Sequence, residues 1–202
     1  MVNGRWKPAL LALKIAIPVY EKDVVGMENR FLIVVDMQND FVGGSLGSEA
    51  AQAITPAVLR KVVHFPGKVI FTQDTHGEDY LETQEGKRLP VKHCIKGTPG
   101  WKLIPALEKL QQEHHWPVIQ KPSFGSVKLA EDLKELNRKQ PIQSIELIGL
   151  CTDICVVSNA LLLKAALPEV EIRVDSQCCA GVTEESHQAA LTTMKSCQVV
   201  VE

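Results

Sequence analysis

The chain has 202 residues, of which 45% are hydrophobic and 23% are charged, with a formal net charge of −2 at pH 7. These values are typical of a globular domain that is large enough to bury a sizeable core. The slightly negative charge and the small aromatic content (three Trp, two Tyr and five Phe) argue against a nucleic-acid partner. The sequence contains no run of about 18 or more apolar residues, so we expect no membrane-spanning helix.

Residues 1–26 precede the first predicted strand, and we expect them to form an N-terminal extension to a single domain over residues 27–202. The apolar stretch 8–20 loosely imitates a signal peptide, but no convincing small-residue cleavage site follows it. The six cysteines include one adjacent pair and no Cys-x-x-Cys motif. This usage is typical of reduced thiols, so we expect a cytoplasmic protein.

Short apolar runs alternate with helical patterns along the rest of the chain. Six runs predict β-strands, at residues 30–36, 68–73, 117–121, 145–150, 170–175 and 197–201. Four stretches predict helices, at residues 48–63, 126–137, 153–167 and 183–195. Most of the strand runs are continuously apolar, as in strands that are buried on both faces. The alternation predicts an α/β fold, a three-layer α-β-α sandwich around a mostly parallel six-stranded sheet.

One segment, residues 75–100, departs from this alternation because it is long, polar and rich in Gly, His and Glu. Long irregular segments in compact domains are usually functional or disordered. Since this one carries His76, Glu85 and His93, we favour a functional loop.

Four chemically active side chains lie at or just beyond the carboxyl ends of predicted strands. Asp36, Asp74 and Lys121 each close a strand, and Cys155 follows a short turn after the strand that ends at residue 150. Open parallel sheets bind their ligands at this edge. A carboxylate, an amine and a thiol that converge there predict a cysteine hydrolase.

The chemistry of such a group follows from its residue types. Cys155 is predicted to lie in the first turn of a helix, where the free N–H groups and the helix dipole favour a thiolate and can hold an oxyanion. Asp36 could take the thiol proton and later pass it to a leaving amine, and Lys121 could pair with both charges. Simpler interpretations stay open: a core cysteine, a turn aspartate and a solvated lysine at a strand exit.

A second group predicts a metal site. Asp74 and His76 lie two residues apart just past a strand, His93 returns after the loop, and Glu85 between them could add a fourth ligand. One carboxylate and two imidazoles suit a divalent metal ion, Zn²⁺ first and Mn²⁺ or Fe²⁺ as alternatives. An isolated Asp-x-His pair is more often part of a surface loop, so the prediction depends on the second histidine.

Four motifs of the chain resemble the nicotinamidase branch of the isochorismatase-like cysteine hydrolases. They are Asp36-Met-Gln-Asn-Asp-Phe41, Thr72-Gln-Asp-Thr-His76, His93-Cys-Ile-Lys-Gly-Thr98 and Gly149-Leu-Cys-Thr-Asp-Ile-Cys-Val156. The motifs occur in order and with compatible spacing from about residue 30 to the C-terminus. The resemblance implies hydrolysis of nicotinamide to nicotinate and ammonia through a cysteine thioester.

The resemblance also implies residue roles. The catalytic triad positions correspond to Asp36, Lys121 and Cys155. The oxyanion hole corresponds to the backbone amides of Cys151 and Cys155, next to a cis peptide bond between residues 150 and 151.

The same resemblance implies a metal centre and a substrate pocket. The metal-ligand positions correspond to Asp74, His76 and His93, and Glu85 matches a ligand of some members. The substrate pocket corresponds to Phe41, Leu89 and Phe124. The implied partners are a small amide substrate and further copies of the chain in a homo-oligomer.

The identity of the substrate stays open at this point. Many nicotinamidases carry a Trp where this chain reads Arg88-Leu89-Pro90, so a hydrolase acting on another small amide, a ureido compound or a vinyl ether is an alternative. A non-catalytic ligand-binding member of the fold is a second alternative. A flavodoxin-like nucleotide binder is disfavoured, because the acidic turn after the first strand would repel phosphate.

Overall fold

The computed structural model describes residues 29–202, and the predicted N-terminal extension over residues 1–26 lies outside them. Six parallel strands form one sheet in the order β3-β2-β1-β4-β5-β6. Their bounds are β1 Arg30–Val35, β2 Lys68–Asp74, β3 Val118–Lys121, β4 Ser144–Leu150, β5 Glu171–Ala180 and β6 Val200–Val201. All six predicted strands are therefore present, although β5 extends further and β6 is shorter than the sequence indicates.

Seven helices accompany the sheet in the described part of the chain. They are α1 Asn39–Val42, α2 Glu49–His64, α3 Gln84–Arg88, α4 Pro105–His114, α5 Val127–Lys139, α6 Val157–Ala166 and α7 Glu184–Ser196. Helices α5, α6 and α7 pack on one face of the sheet, and α2 and α4 pack on the other. The predicted three-layer α-β-α sandwich is confirmed. None of the helices within residues 29–202 is both long enough and apolar enough to cross a membrane.

The central strand β1 shows why continuously apolar runs become inner strands. Phe31, Ile33 and Val35 lie in the core under α5–α7, while Leu32 and Val34 lie in the core under α2 and α4. Both faces of β1 are covered, so an alternating pattern is not needed. The strand then ends at a buried polar residue, which marks the start of the site.

Two parts of the chain differ from the sequence-based prediction. Helix α4 was not predicted, because its surface is mostly Lys, Gln and Glu and Leu107 is its only fully buried residue. The segment 75–100 contains a 3₁₀ turn at Tyr80–Glu82 and the short helix α3, so it is more regular than a loop. Helix α3 begins at a capping Thr83, whose hydroxyl accepts a hydrogen bond from the amide of Gly86.

Gly149 determines how closely β4 approaches β1 near the site. Its φ is +113°, and a side chain at this position would overlap the carbonyl oxygen of Val35. Both features require glycine, because other residues rarely adopt this backbone conformation and have no room here. Gly149 therefore fixes the course of β4 two residues before Cys151.

We expect Gly149→Ala to lower the free energy of unfolding by about 3 kcal/mol or more, because backbone strain and steric overlap add. The matched control is Gly97→Ala, since Gly97 also has a positive φ (+86°) but has open space around it. We expect the control to cost only the strain, about 1 kcal/mol. Urea unfolding of both variants measures the difference, and equal losses would contradict the close approach of β1 and β4.

Candidate active site

The strand order brings three charged side chains to one edge of the sheet. Asp36 follows β1, Asp74 closes β2 and Lys121 closes β3, and these strands are neighbours. All three side chains are almost completely buried. Buried charges are costly unless they are paired, so their proximity stabilises each of them.

The ammonium group of Lys121 is the centre of this cluster. Its Nζ lies 2.7 Å from Asp36 Oδ2 and donates to Asp74 Oδ1 at 3.2 Å. It also donates to the carbonyl oxygen of Ser123 at 3.1 Å and to the Sγ of Cys155 at 3.4 Å. The charge of Asp36 holds the pKa of Lys121 above its ordinary value, although burial alone would lower it. Lys121 therefore stays cationic and touches both the predicted triad and the predicted metal site.

Asp36 is held in a conformation that a non-glycine residue rarely adopts. Its φ is +48°, and its carbonyl oxygen accepts a hydrogen bond from the amide of Gln38 at 2.7 Å. Oδ1 accepts a hydrogen bond from the hydroxyl of Thr72 at 2.6 Å. Oδ2 faces Lys121 and has no hydrogen bond of good geometry among residues 29–202, so it can accept a proton. Burial raises the pKa of Asp36, so this carboxylate binds a proton more readily than an exposed aspartate.

Cys155 lies in a π-helical turn, Thr152–Val156, which leads directly into α6. The residue is only 5% exposed, and burial together with the charge of Asp36 raises the pKa of its thiol well above the ordinary value. The expectation of a free thiolate at the helix start is therefore wrong for the protein alone. The effect of burial outweighs that of the positive charge of Lys121, so the protonated thiol is favoured.

The turn before Cys155 contains the cis peptide bond that the resemblance implied. The peptide bond between Leu150 and Cys151 is cis, as expected. The carbonyl oxygen of Cys151 accepts hydrogen bonds from the amides of Ile154 and Val156 at 3.1 and 3.0 Å. The assignment of the Cys151 and Cys155 amides to an oxyanion hole stays a prediction.

The predicted metal ligands converge at the end of β2. Asp74 Oδ2 lies 2.9 Å from His76 Nε2 and 3.8 Å from His93 Nε2. Glu85 Oε1 lies 3.7 Å from the Nε2 atoms of both histidines. Ligand atoms of Asp74, His76 and His93 all lie within 4.8 Å of one another and are buried, as a metal site requires.

The surroundings of these residues fit a divalent cation. The Nδ1 of His93 donates to the carbonyl oxygen of Val91 at 2.8 Å, a contact that leaves the Nε2 lone pair free for a metal. The Nε2 of His76 is buried, faces the carboxylate of Asp74 and has no hydrogen bond of good geometry within the described residues. Two buried carboxylates, with Glu85 beside them, also exceed the single charge of Lys121. Each observation favours a cation between these ligands.

The aromatic and aliphatic residues of the predicted substrate pocket occupy different environments. The ring of Phe41 lies 5.6 Å from the ring of His93, so it borders the candidate metal site. Leu89 is 38% exposed and Phe124 is 45% exposed, while their carbonyl oxygens are held by the side chains of Tyr80 and Asn159. The pocket role of Phe41, Leu89 and Phe124 stays a prediction.

Several supporting residues were not identified from the sequence. Gln38 bonds the backbone of Asp74 at both its amide and its carbonyl group, at 2.7 and 2.9 Å. Tyr80 packs against the rings of His76 and His93, with ring centroids 4.7 and 4.9 Å away. The contact of Thr72 with the site could have been predicted from the sequence, because Thr72 lies two residues before Asp74 on β2 and so points to the same side of the sheet. Tyr80 carried no such signal.

Comparisons with known proteins agree with this geometry. Residues 30–202 match the isochorismatase domain family. The nicotinamidase/pyrazinamidase of Mycobacterium tuberculosis is 30% identical over 185 residues, which cover 84% of this chain and 96% of that protein.

Solved structures give the same result. A pyrazinamidase/nicotinamidase from Streptococcus mutans superposes with a TM-score of 0.74 at 28% identity, covering 86% of this chain and 99% of that one. The Pyrococcus horikoshii pyrazinamidase in complex with zinc superposes with a TM-score of 0.69 at 25% identity, covering 86% and 98%.

We expect Lys121→Met to lower the free energy of unfolding by about 3–5 kcal/mol, because it leaves the buried carboxylates of Asp36 and Asp74 without their cation. The control is Lys128→Met, which removes an exposed pair with Asp132 and should cost less than about 1 kcal/mol. Urea unfolding at neutral pH measures both. A loss at Lys121 no larger than the control would show that the ammonium does not hold the cluster together.

Proposed function

Because the chain belongs to the isochorismatase family, we propose that it is an amidohydrolase that converts nicotinamide to nicotinate and ammonia through a cysteine thioester. The observation that carries this proposal is the contact of one buried ammonium, Lys121 Nζ, with both the thiol of Cys155 and the carboxylate of Asp36. A thiol, a proton acceptor and a fixed positive charge are the groups that nucleophilic attack on an amide carbon requires.

The first half of the reaction forms the thioester. Asp36 takes the proton of the Cys155 thiol, and the sulfur forms a bond to the amide carbon of the substrate. The backbone amides of Cys151 and Cys155 donate hydrogen bonds to the negative oxygen of the tetrahedral species. When the C–N bond breaks, Asp36 returns its proton to the departing nitrogen, and ammonia leaves.

The second half restores the enzyme. Asp36 takes a proton from water, the hydroxide oxygen attacks the thioester carbon, and the C–S bond breaks to give the carboxylic acid. The proton on Asp36 then returns to the sulfur of Cys155. Burial raises the pKa of Asp36, which makes this carboxylate a stronger proton acceptor than an exposed aspartate. Lys121 balances the negative charge at each stage.

A divalent cation, Zn²⁺ in our proposal, would be held by Asp74, His76 and His93 with Glu85 as a fourth ligand. When bound, it would supply Lewis-acid coordination to the ring nitrogen of a pyridine or pyrazine amide. The zinc complex of the Pyrococcus horikoshii pyrazinamidase supports this choice of metal. Lys121 would link the two centres, because it contacts Asp74 on one side and Cys155 on the other.

A second candidate is hydrolysis of a different small amide on the same triad. The observation in its favour is Leu89, an exposed aliphatic residue at a position where the resemblance implies an aromatic ring that stacks on the substrate.

The six cysteines are all free thiols, which supports an enzyme of the cytoplasm. We further propose a homo-oligomer that takes a small-molecule amide and no nucleic acid or membrane partner.

We expect Cys155→Ala to lower ammonia release from nicotinamide by about four orders of magnitude or more, because the nucleophile is lost. The matched control is Cys197→Ala, since Cys197 is an exposed free thiol that lies between α7 and the amino end of β6, while the site lies at the carboxyl ends of the strands. The control should retain wild-type turnover. Ammonia is measured with a coupled assay across nicotinamide, pyrazinamide and small ureido compounds. Turnover that persists in Cys155→Ala would exclude the covalent route.

We expect removal of the metal by a chelator to raise KM for nicotinamide about tenfold or more, the equivalent of about 1.4 kcal/mol of binding. Added Zn²⁺ or Mn²⁺ should restore the original value. Benzamide is the matched control, because it has the same carboxamide but no ring nitrogen, so its KM should change less. Equal responses of the two amides would contradict coordination of the ring nitrogen, and indifference of both would remove the metal from substrate binding.

A further inference from the structure

Asn159 lies one helical turn after Cys155 and is completely buried. Its Oδ1 accepts a hydrogen bond from the amide of Ser126 at 2.9 Å. Its Nδ2 donates to the carbonyl oxygen of Phe124 at 3.1 Å and to that of Cys155 at 2.8 Å. One side chain therefore joins the turn that carries the nucleophile to the segment between β3 and α5.

That segment, residues 122–126, is held at two points. Lys121 Nζ donates to the carbonyl oxygen of Ser123, and Asn159 binds the backbone on both sides of Gly125. Ser126 also caps α5, because its hydroxyl accepts a hydrogen bond from the amide of Leu129 at 3.1 Å. The backbone of this segment is thus fixed by groups of the active site, while the ring of Phe124 remains exposed.

We propose that Asn159 is a positioning residue that fixes the Phe124 segment relative to Cys155, and that it thereby controls the binding of ring-bearing amides. This role depends on how far the side chain of Asn159 extends from α6. The primary amide has separate donor and acceptor atoms, with which it donates to the carbonyl oxygen of Phe124 and accepts from the amide of Ser126, whereas threonine has a shorter side chain with a single polar atom. The inference rests on the proposed function, because it assigns Phe124 to the substrate pocket.

Substitution of Asn159 by threonine separates its bond to the Cys155 carbonyl from its bonds to Phe124 and Ser126. In helices, a Thr hydroxyl donates to the carbonyl oxygen four residues earlier. This protein contains such bonds at Thr55, Thr192 and Thr193, which bind the carbonyls of residues 51, 188 and 189. Asn159→Thr should therefore keep the bond to Cys155 and lose both bonds to the segment 122–126.

We expect Asn159→Thr to raise KM for nicotinamide about tenfold while kcat stays within about threefold, because the nucleophile keeps its own contact and the segment is released. The matched control is Asn137→Thr on α5, where the lost contact, Oδ1 accepting from the amide of Ile142 at 2.7 Å, lies before the amino end of β4 and not at the carboxyl ends of the strands. The control should leave both constants unchanged.

A double-mutant cycle with Phe124→Ala tests whether Asn159 acts through that ring. If it does, the two substitutions together should raise KM no more than the larger single effect. Additive effects would overturn the proposal, as would an Asn159→Thr protein that binds nicotinamide like the wild type. A fall in kcat alone would also overturn it.

Hydrogen exchange supplies a readout that does not depend on turnover. The amide of Ser126 should exchange about tenfold faster in Asn159→Thr, while the amides of β1 and β4 should be unchanged. Faster exchange throughout the sheet would indicate a general loss of stability and overturn a local role.

If the wild-type protein releases no ammonia from any amide, the proposed function fails and this role with it. An active wild type with an indistinguishable Thr variant removes only the role of Asn159.

Discussion

The site depends on one buried ammonium group placed between two buried carboxylates. Lys121 balances the negative charges of Asp36 and Asp74 in this interior, and the two carboxylates in turn favour the cationic form of Lys121. The interaction is only possible because β1, β2 and β3 are neighbours and end at the same edge. The order of the strands is thus the direct cause of the electrostatics, and each carboxylate stands at the end of an apolar run whose burial is stabilised independently.

The same ammonium connects two chemical tasks that the sequence presents as separate. On one side it approaches the sulfur of Cys155, and on the other it donates to Asp74, whose second oxygen faces His76. A charge added at the candidate metal centre would therefore act on Cys155 through two contacts, from Asp74 to Lys121 and from Lys121 to the sulfur. In a low-dielectric interior such contacts are strong. Lys121 therefore places the candidate metal centre and Cys155 in electrostatic contact.

Prediction from the sequence succeeded where local patterns carry the information. Apolar runs that end abruptly at a charged residue indicate the strands and predict that Asp36, Asp74 and Lys121 lie at the same edge of the sheet. It failed where tertiary packing decides. Burial of Cys155 raises the pKa of its thiol, which the helix start alone would lower. The packing of Tyr80 on two histidines joins segments whose sequence spacing indicates no contact.

Two side-chain amides hold backbone groups at and beyond the strand ends, where the parallel sheet supplies no hydrogen bonds of its own. Gln38 replaces a strand neighbour for Asp74, and Asn159 does the same for Phe124 and Ser126. Both use a primary amide, whose nitrogen donates while its separate oxygen accepts. Both are fully buried, so each bond is worth more than it would be at the surface. Side-chain amides therefore add hydrogen bonds at and beyond the strand ends, where the strands no longer pair with each other.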